Sequence, residues 1–455
     1  MSESSSSVTL KALPLETVEH IVFYLPKNSL LQLRLVSRRL ASIATPGAFR
    51  TFNLKVHPKS GEGFINIAKS DKLRSFLREF TCDTWQETFA IRDFEHVFVD
   101  YSVYQAPRGF MEALSFLRYF QHLESLHIQF TKDLNWCDDG ELELRKKVIL
   151  TVFEGLAGTG SPDQTSHSSE HDGEQDPSQH ASPVFPTALT IENLGSPDDK
   201  KLIALPAFQA IFASGRVRNL KIHLAGEVIT DDEGTDHCDS NDRHDFYERI
   251  PTIWLTPQVI ENLRELSLTA MEWWGWSPHK DLCDIGGHNG LPNLKVLTLG
   301  KYVFGFQRQV DWLASLSLEE IHFDQCSVLY RTFNAVDGSD PTPEWWTAPR
   351  PPDTTITLLS LRWHLMLNQW SKSMKTLRGF YMQSAGTTDF RYVDNVGDSF
   401  CYEQDDDDVG SWNRHFVLEP GTREKDRLAL DHFLSVIESR SKQEEQRSRV
   451  RSDWG

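Results

Sequence analysis

From residue 77 onward a six-residue pattern keeps returning: apolar-x-x-apolar-x-apolar. It reads Leu77/Phe80/Cys82, Leu123/Leu126/Ile128, Val217/Leu220/Ile222, Leu263/Leu266/Leu268, Leu294/Leu297/Leu299, Leu318/Ile321/Phe323, Leu358/Leu361/Trp363 and Leu377/Phe380/Met382. The last two apolar places flank a single residue, as a strand with one buried face requires. Leu189 and Ile191, after Phe185-Pro186, make a further candidate. Helices fit between the strands over Met111 to Phe120, Leu202 to Ser214, Thr256 to Leu263 and Val310 to Leu316. The chain therefore reads as α/β, with a strand followed by a helix or loop, many times over. The interval between successive central residues runs from 19 to 94, so a non-repetitive α/β domain whose strands begin with Leu stays open beside a repeat.

The pattern resembles the strand segment of leucine-rich repeats. A strict array of that family keeps a period of about 20–29 residues, which this chain does not, and the family's Asn place is mostly empty here. The resemblance implies an irregular solenoid of stacked units. It places the residues between the buried positions on one exposed face, as candidates for contact with a target protein: Ser125, His127, Asn219, Lys221, Glu265, Ser267, Glu320, His322, Arg362 and Tyr381. Trp273, Trp274 and Trp276 read equally as core or as interface. Trp345 and Trp346 sit in a Pro-rich stretch with little apolar company and join the candidate contacts.

Three stretches interrupt the array. Residues 159–182 are rich in Ser, Gly, Asp, Gln and His, residues 231–245 are polar and acidic, and residues 337–355 are Pro-rich. Too little apolar surface is present to offset ordering entropy, so disordered inserts are expected. Asp405 to Asp408 is an acidic run. Arg427 to Arg440 reads as an amphipathic helix carrying Leu428, Leu430, Phe433, Leu434 and Ile437, suited to capping an open end of core. A charged tail follows over 441–455.

The N-terminus differs. Residues 1–10 are Ser-rich and expected to be disordered. Pro14 suits a first helical turn, and Leu15, Val18, Ile21, Val22 and Leu25 share a helical face. Pro26 stops that helix, and Asn28 or Ser29 can cap the next. Leu30, Leu31, Leu33, Leu35 and Val36 make a wide apolar arc. A third short helix carries Leu40, Ile43 and Ala44, and Thr45-Pro46-Gly47 is expected to break it. From Leu13 to Thr45, 17 of 33 residues are hydrophobic, against 39% for the chain. Three short helices cannot bury that much on themselves, so either the rest of the chain or a partner covers the surplus.

These residues carry a second resemblance. Leu13-Pro14-Leu15-Glu16, Ile21, Tyr24-Leu25-Pro26 and the run Leu30 to Arg38 resemble an F-box. Ala44-Thr45-Pro46 with Phe49-Arg50 resembles its fungal form. The resemblance spans residues 11–54, leaving 55–440 to the repeat domain. It departs from the family after Ser37-Arg38, where Arg39-Leu40 stands in place of a late tryptophan. An F-box implies a three-helix module docking on the Skp-type adaptor of an SCF ubiquitin ligase, through it on a cullin. The adaptor-contact places are Leu13, Pro14, Leu15, Ile21, Leu25, Leu30, Leu33 and Val36.

Composition bounds the remaining classes. A net charge of −18 disfavours nucleic-acid binding, since no excess of Lys and Arg is available to displace counterions. No apolar stretch is long enough for a membrane span, and no secretory leader pattern is present, which points to the cytoplasm or nucleus. The six cysteines form no CxxC pair, so reduced thiols are expected rather than a disulfide or zinc framework. No nucleotide-binding or hydrolase motif appears. The densest ligand-like cluster is Asp236-His237-Cys238-Asp239 with Asp242, His244 and Asp245, a weak basis for a metal-dependent enzyme because apolar scaffolding is missing around it. His167, His171 and His180 lie in the first insert and carry the same objection. The expectation is a non-catalytic substrate receptor without cofactor, with an F-box scaffold outside ubiquitination as the alternative.

Overall fold

The computed structural model describes residues 13–84, 108–131, 139–159, 182–195, 200–225, 229–230, 236–237, 240–271, 273–275, 281–285, 290–333, 356–383, 391–395 and 421–452. Two compact units divide the chain, one of residues 1–129 and 146–188, the other of residues 130–145 and 189–455.

The first unit opens with three helices, α1 (Leu15–Phe23), α2 (Lys27–Leu33) and α3 (Arg38–Ala48). Pro14 stands one place earlier than expected, at the N-cap of α1, and Pro26 rather than Asn28 or Ser29 occupies the N-cap of α2. Ser37 caps α3, its Oγ accepting from Leu40 N at 3.2 Å. The break expected at Thr45-Pro46-Gly47 does not occur, and Pro46 lies inside α3. Proline there forfeits one backbone bond, but Ala44, Thr45 and Ala48 are buried, so packing overrides the local signal.

Strand β1 (Thr51–Lys55) follows, then α4 (Pro58–Lys69), α5 (Asp71–Arg74), β2 (Glu79–Asp83), α6 (Arg108–Ser115), a 3-10 turn at Phe116–Tyr119, β3 (Ser125–Gln129) and α7 (Asp139–Ala157). The three strands are parallel and in register, Leu54 beside Cys82 beside Ile128, and all three are fully buried. Phe64 of α4 fills the space under them, 4.9 Å from the Phe80 ring and 4.8 Å from that of Phe120. Two glycines set the helix spacing. A Cβ on Gly61 would stand 2.3 Å from Gly109 O, and one on Gly155 2.3 Å from Leu114 O, so only hydrogen fits at either place.

The second unit contains β4 (Ala188–Leu194), α8 (Lys200–Ala204), α9 (Pro206–Ala213), β5 (Asn219–Leu224), the short pair β6 (Ile229–Thr230) and β7 (Asp236–His237), α10 (Ser240–Ile253), α11 (Pro257–Asn262), β8 (Glu265–Ala270), β9 (Val296–Gly300), β10 (Val303–Phe304), α12 (Gln307–Ser315), β11 (Glu320–Asp324), β12 (Ser327–Phe333), β13 (Ile356–Leu358), α13 (Trp363–Ser373), β14 (Gly379–Gln383), β15 (Arg391–Asn395) and α14 (Arg423–Ser452). The main sheet runs β4-β5-β8-β9-β11-β14, and the pairs from β5 onward are parallel. Every expected triplet from Val217 to Phe323 has its strand, with all apolar places buried. One carbonyl before each strand accepts two successive N–H groups from the next. Arg218 O takes Arg264 N and Glu265 N at 2.7 and 3.1 Å, Arg264 O takes Lys295 N and Val296 N, and Lys295 O takes Glu319 N and Glu320 N. This repeated geometry locks the register strand by strand, whatever the length of chain between them.

The Leu358/Leu361/Trp363 triplet is not a strand of this ladder. Ile356–Leu358 pairs antiparallel with β12 in a second sheet with β10 and β15, and Trp363 begins α13. The helical series Trp363, Met366, Leu367 and Trp370, all fully buried, overrides the strand signal. The insert expected near 231–245 is only partly an insert, because α10 starts at Ser240 and β7 lies within it. Inserts 160–181 and 337–355, the acidic run and residues 1–12 lie outside the described residues. The C-terminal helix runs through the expected tail to Ser452, with Ala429, Phe433 and Ile437 buried and Leu428 and Leu434 exposed.

Candidate functional site

The three-helix module separates its apolar residues into two sets. Val18, Val22, Leu30, Leu40, Ala44 and Ala48 form its core, with Leu13, Leu25, Leu31, Leu33, Ile43 and Phe49 packed partly against it. The other set faces outward: Leu15 is 45% exposed, Ile21 41%, Phe23 81%, Tyr24 70%, Leu35 82% and Val36 68%. That is the surplus read from the sequence, and no other part of the described chain covers it.

The exposed set is held rigidly. Leu35 and Val36 sit in the turn between α2 and α3, where their N–H groups bond to Gln32 O and Leu33 O at 3.0 and 3.2 Å. Tyr24 makes edge contacts with His20 and Phe23 at 5.2 and 5.3 Å. Arg34 lies over the Phe49 ring and donates to Thr45 Oγ1 at 3.0 Å. Arg39 donates to Leu13 O at 3.0 Å, which fixes the start of α1 against α3. Lys27 donates to Thr51 O at 2.7 Å and joins α2 to β1, and burial holds its ammonium below the usual lysine range.

Of the expected adaptor-contact residues, Pro14, Leu15, Ile21 and Val36 are exposed, and Leu13, Leu25 and Leu33 are half-buried. Leu30, at 5% exposure, belongs to the core and offers no surface. Phe23, Tyr24 and Leu35, which are not among the expected adaptor-contact places, are exposed beside them. Their signal was present: an inward face built on Val18 and Val22 leaves Phe23 turned outward.

The strand faces form the second candidate surface. In the second unit one row holds Lys221, Ser267, Thr298, His322 and Tyr381, one residue per strand, and the next row holds Asn219, Glu265, Val296, Glu320 and Gly379. Lys221 Nζ meets Glu265 Oε1 at 2.6 Å. His322 stacks on Tyr381 at 4.5 Å and 14° between planes, and its Nε2 lies 3.3 Å from Glu320 Oε2. Tyr381 remains 54% exposed. Thr298 belongs to the row by the same spacing, between Leu297 and Leu299. Ser125 and His127 lie on β3 of the first unit, His127 in register with Thr81.

Arg362 is not part of either row. It precedes α13, with its guanidinium donating to the Leu361 carbonyl at 2.6 Å, because the strand expected there is absent. Trp273 and Trp274 are buried, and Trp274 Nε1 donates to Gly300 O at 2.8 Å, so both are core rather than interface. Trp276, Trp345, Trp346, Cys238 and Asp239 lie outside the described residues, as do the side chains of Asp236, His237, Asp242, His244 and Asp245. Among the described residues no group of three or more His, Cys, Asp or Glu side chains is placed to hold a metal, and no helix is long and apolar enough to cross a membrane. Cys82, Cys283 and Cys326 are free thiols.

No curated protein matches the chain. Residues 10–46 match the F-box domain family. These residues are those of the three-helix module with the exposed apolar face, and F-box domains bind Skp-type adaptors: the chain carries an F-box domain at its N-terminus.

Proposed function

We propose that the chain is the substrate-recognition subunit of an SCF-type cullin-RING ubiquitin ligase. The F-box, of the fungal type, docks on the Skp-type adaptor and through it on a cullin, and the strand ladder, a degenerate leucine-rich-repeat solenoid, presents its outward face to a target protein. The carrying observation is the exposed cluster Leu15, Ile21, Phe23, Tyr24, Leu35 and Val36 on a module whose own core is already complete. A monomer gains nothing by holding that much apolar surface in water. The adaptor contacts are Leu13, Pro14, Leu15, Ile21, Leu25, Leu33 and Val36, with Phe23, Tyr24 and Leu35 added. The target contacts are Lys221, Glu265, Glu320, His322 and Tyr381 in the second unit and His127 in the first. Catalysis of ubiquitin transfer belongs to other subunits in this reading. The test is reconstitution of purified chain, adaptor and cullin. A stoichiometric three-part complex supports the reading, an adaptor complex that excludes the cullin favours a scaffold, and no adaptor complex overturns both.

A further inference from the structure

Charged side chains at the starts of the strands are paired along the ladder. In the first unit Arg50 reaches Glu79 at 3.2 Å and Arg78 reaches Glu124 at 3.4 Å. In the second, Lys295 reaches Glu319 at 3.3 Å, and Arg378 approaches Glu444 of α14 at 4.0 Å. Arg218 and Arg264 occupy the same place before β5 and β8 and are exposed, yet their guanidinium groups have no hydrogen bond or ion pair among the described residues. The cause is local. Glu265 stands to Arg218 as Glu79 stands to Arg50, but Lys221 takes it at 2.6 Å. The residue that stands to Arg264 in the same way is Val296, which has no charge to give.

The two arginines are neighbours. Arg264 N bonds to Arg218 O at 2.7 Å, and adjacent strands lie about 4.8 Å apart. Arg216 is exposed two residues before Arg218, and Lys295 stands just before β9. Like charges side by side repel, so the fold gains no stability from this arrangement. Each guanidinium holds five N–H donors in a fork that matches a carboxylate. A nucleic acid is the poorer fit: a few cations on a chain of net charge −18 release few counterions, and Glu265 and Glu261 stand close in sequence to repel a phosphate backbone.

We propose that Arg218 and Arg264 form a binding surface for an acidic peptide segment of a partner protein, whose carboxylates take the guanidinium donors left open among the described residues. The inference rests on the target-receptor reading only in naming the recruited target as the bearer of that segment. The test is fluorescence anisotropy of the purified full chain with a fluorescein-labelled peptide of alternating Glu and Ser, which places its carboxylates along one side when extended. Saturable binding at low salt is expected, with no binding of the matching Lys-Ser peptide. Arg218→Glu combined with Arg264→Glu should weaken binding at least tenfold without changing the circular dichroism spectrum, while Lys375→Glu should leave it unchanged. Equal binding by the double variant, no binding by the wild type, or tighter binding of a single-stranded oligonucleotide of equal length would overturn the proposal. Adaptor copurification, scored separately on the same preparation, reports on the receptor reading alone.

Discussion

Asp426 is fully buried and accepts from His364 N at 2.9 Å, His364 Nδ1 at 2.7 Å and Thr422 Oγ1 at 2.8 Å. It places a carboxylate at the N-terminus of α13, where the helix dipole favours negative charge. Arg440, fourteen residues on in sequence, donates to Met374 O and Ser371 O at 2.7 and 2.6 Å at the other end of the same helix. One side chain of α14 therefore complements each end of α13. Asp426→Ala leaves His364 N and its ring without an acceptor and is expected to cost about 2 kcal/mol, read as a lower urea midpoint with unchanged m-value. Cys283 is also open to a single-residue test. Burial, a hydrogen bond with Asp281 and the charge of Asp281 push its thiol up to about 12. Burial pushes Cys82 and Cys326 upward as well. All three should react slowly with a thiol reagent near pH 8 in the folded chain and quickly in denaturant, because only the thiolate reacts. Fast labelling of Cys283 in the native protein would contradict this.

At the scale of elements, the proposed reading puts the α2–α3 turn at the centre of the adaptor contact. Leu35 and Val36 are its most outward apolar pair and contribute little to the module's core. Leu35→Asp with Val36→Asp should therefore leave the helices folded and weaken adaptor binding at least about 100-fold, since burying each such side chain is worth about 1.5–3 kcal/mol. Binding within a factor of three of wild type would remove this face from the interface. Helix α14 makes the opposite case. Phe433 packs on Phe380 of β14 at 5.1 Å, and Ala429 and Ile437 are buried beside it. Deleting residues 421–455 exposes that apolar face, and the truncated chain is expected to bind a hydrophobic dye and to lose its sharp thermal transition. The sequence predicts a helix here and is right on part of its inward face, since Phe433 and Ile437 are buried. Leu428 and Leu434, on the same apolar stripe, are exposed instead, while Asp426 and Arg440 face α13, because a partner helix with its own polar ends selects the docking face.

At the scale of the molecule, the F-box and the strand ladder are two surfaces with separate tests. A chain carrying charge reversals at Arg218 and Arg264 should bind the adaptor as wild type does, because the F-box core and its exposed face involve neither residue. An adaptor-binding loss in that variant would mean that the two surfaces are not independent.

What the sequence determined by itself was whatever depends on neighbours in the chain. The first two F-box helices follow from Pro14, Pro26 and a 3.6-residue apolar period, and the main-sheet strands from β2 onward follow from the two-residue alternation that one buried face imposes, whereas β1 (Thr51–Lys55) falls in the stretch assigned to the F-box. Tertiary structure decided the rest. It kept α3 running through Pro46 because Ala44, Thr45 and Ala48 are buried, and turned Leu361-Arg362-Trp363 from strand into the start of a helix. It also built the second sheet from β10, β12, β13 and β15. Those choices depend on packing between residues far apart in sequence, which no local period records. Arg218 and Arg264 belong with them: both are visible in the sequence, but only the strand register shows that Lys221 occupies the carboxylate that Arg218 would otherwise hold.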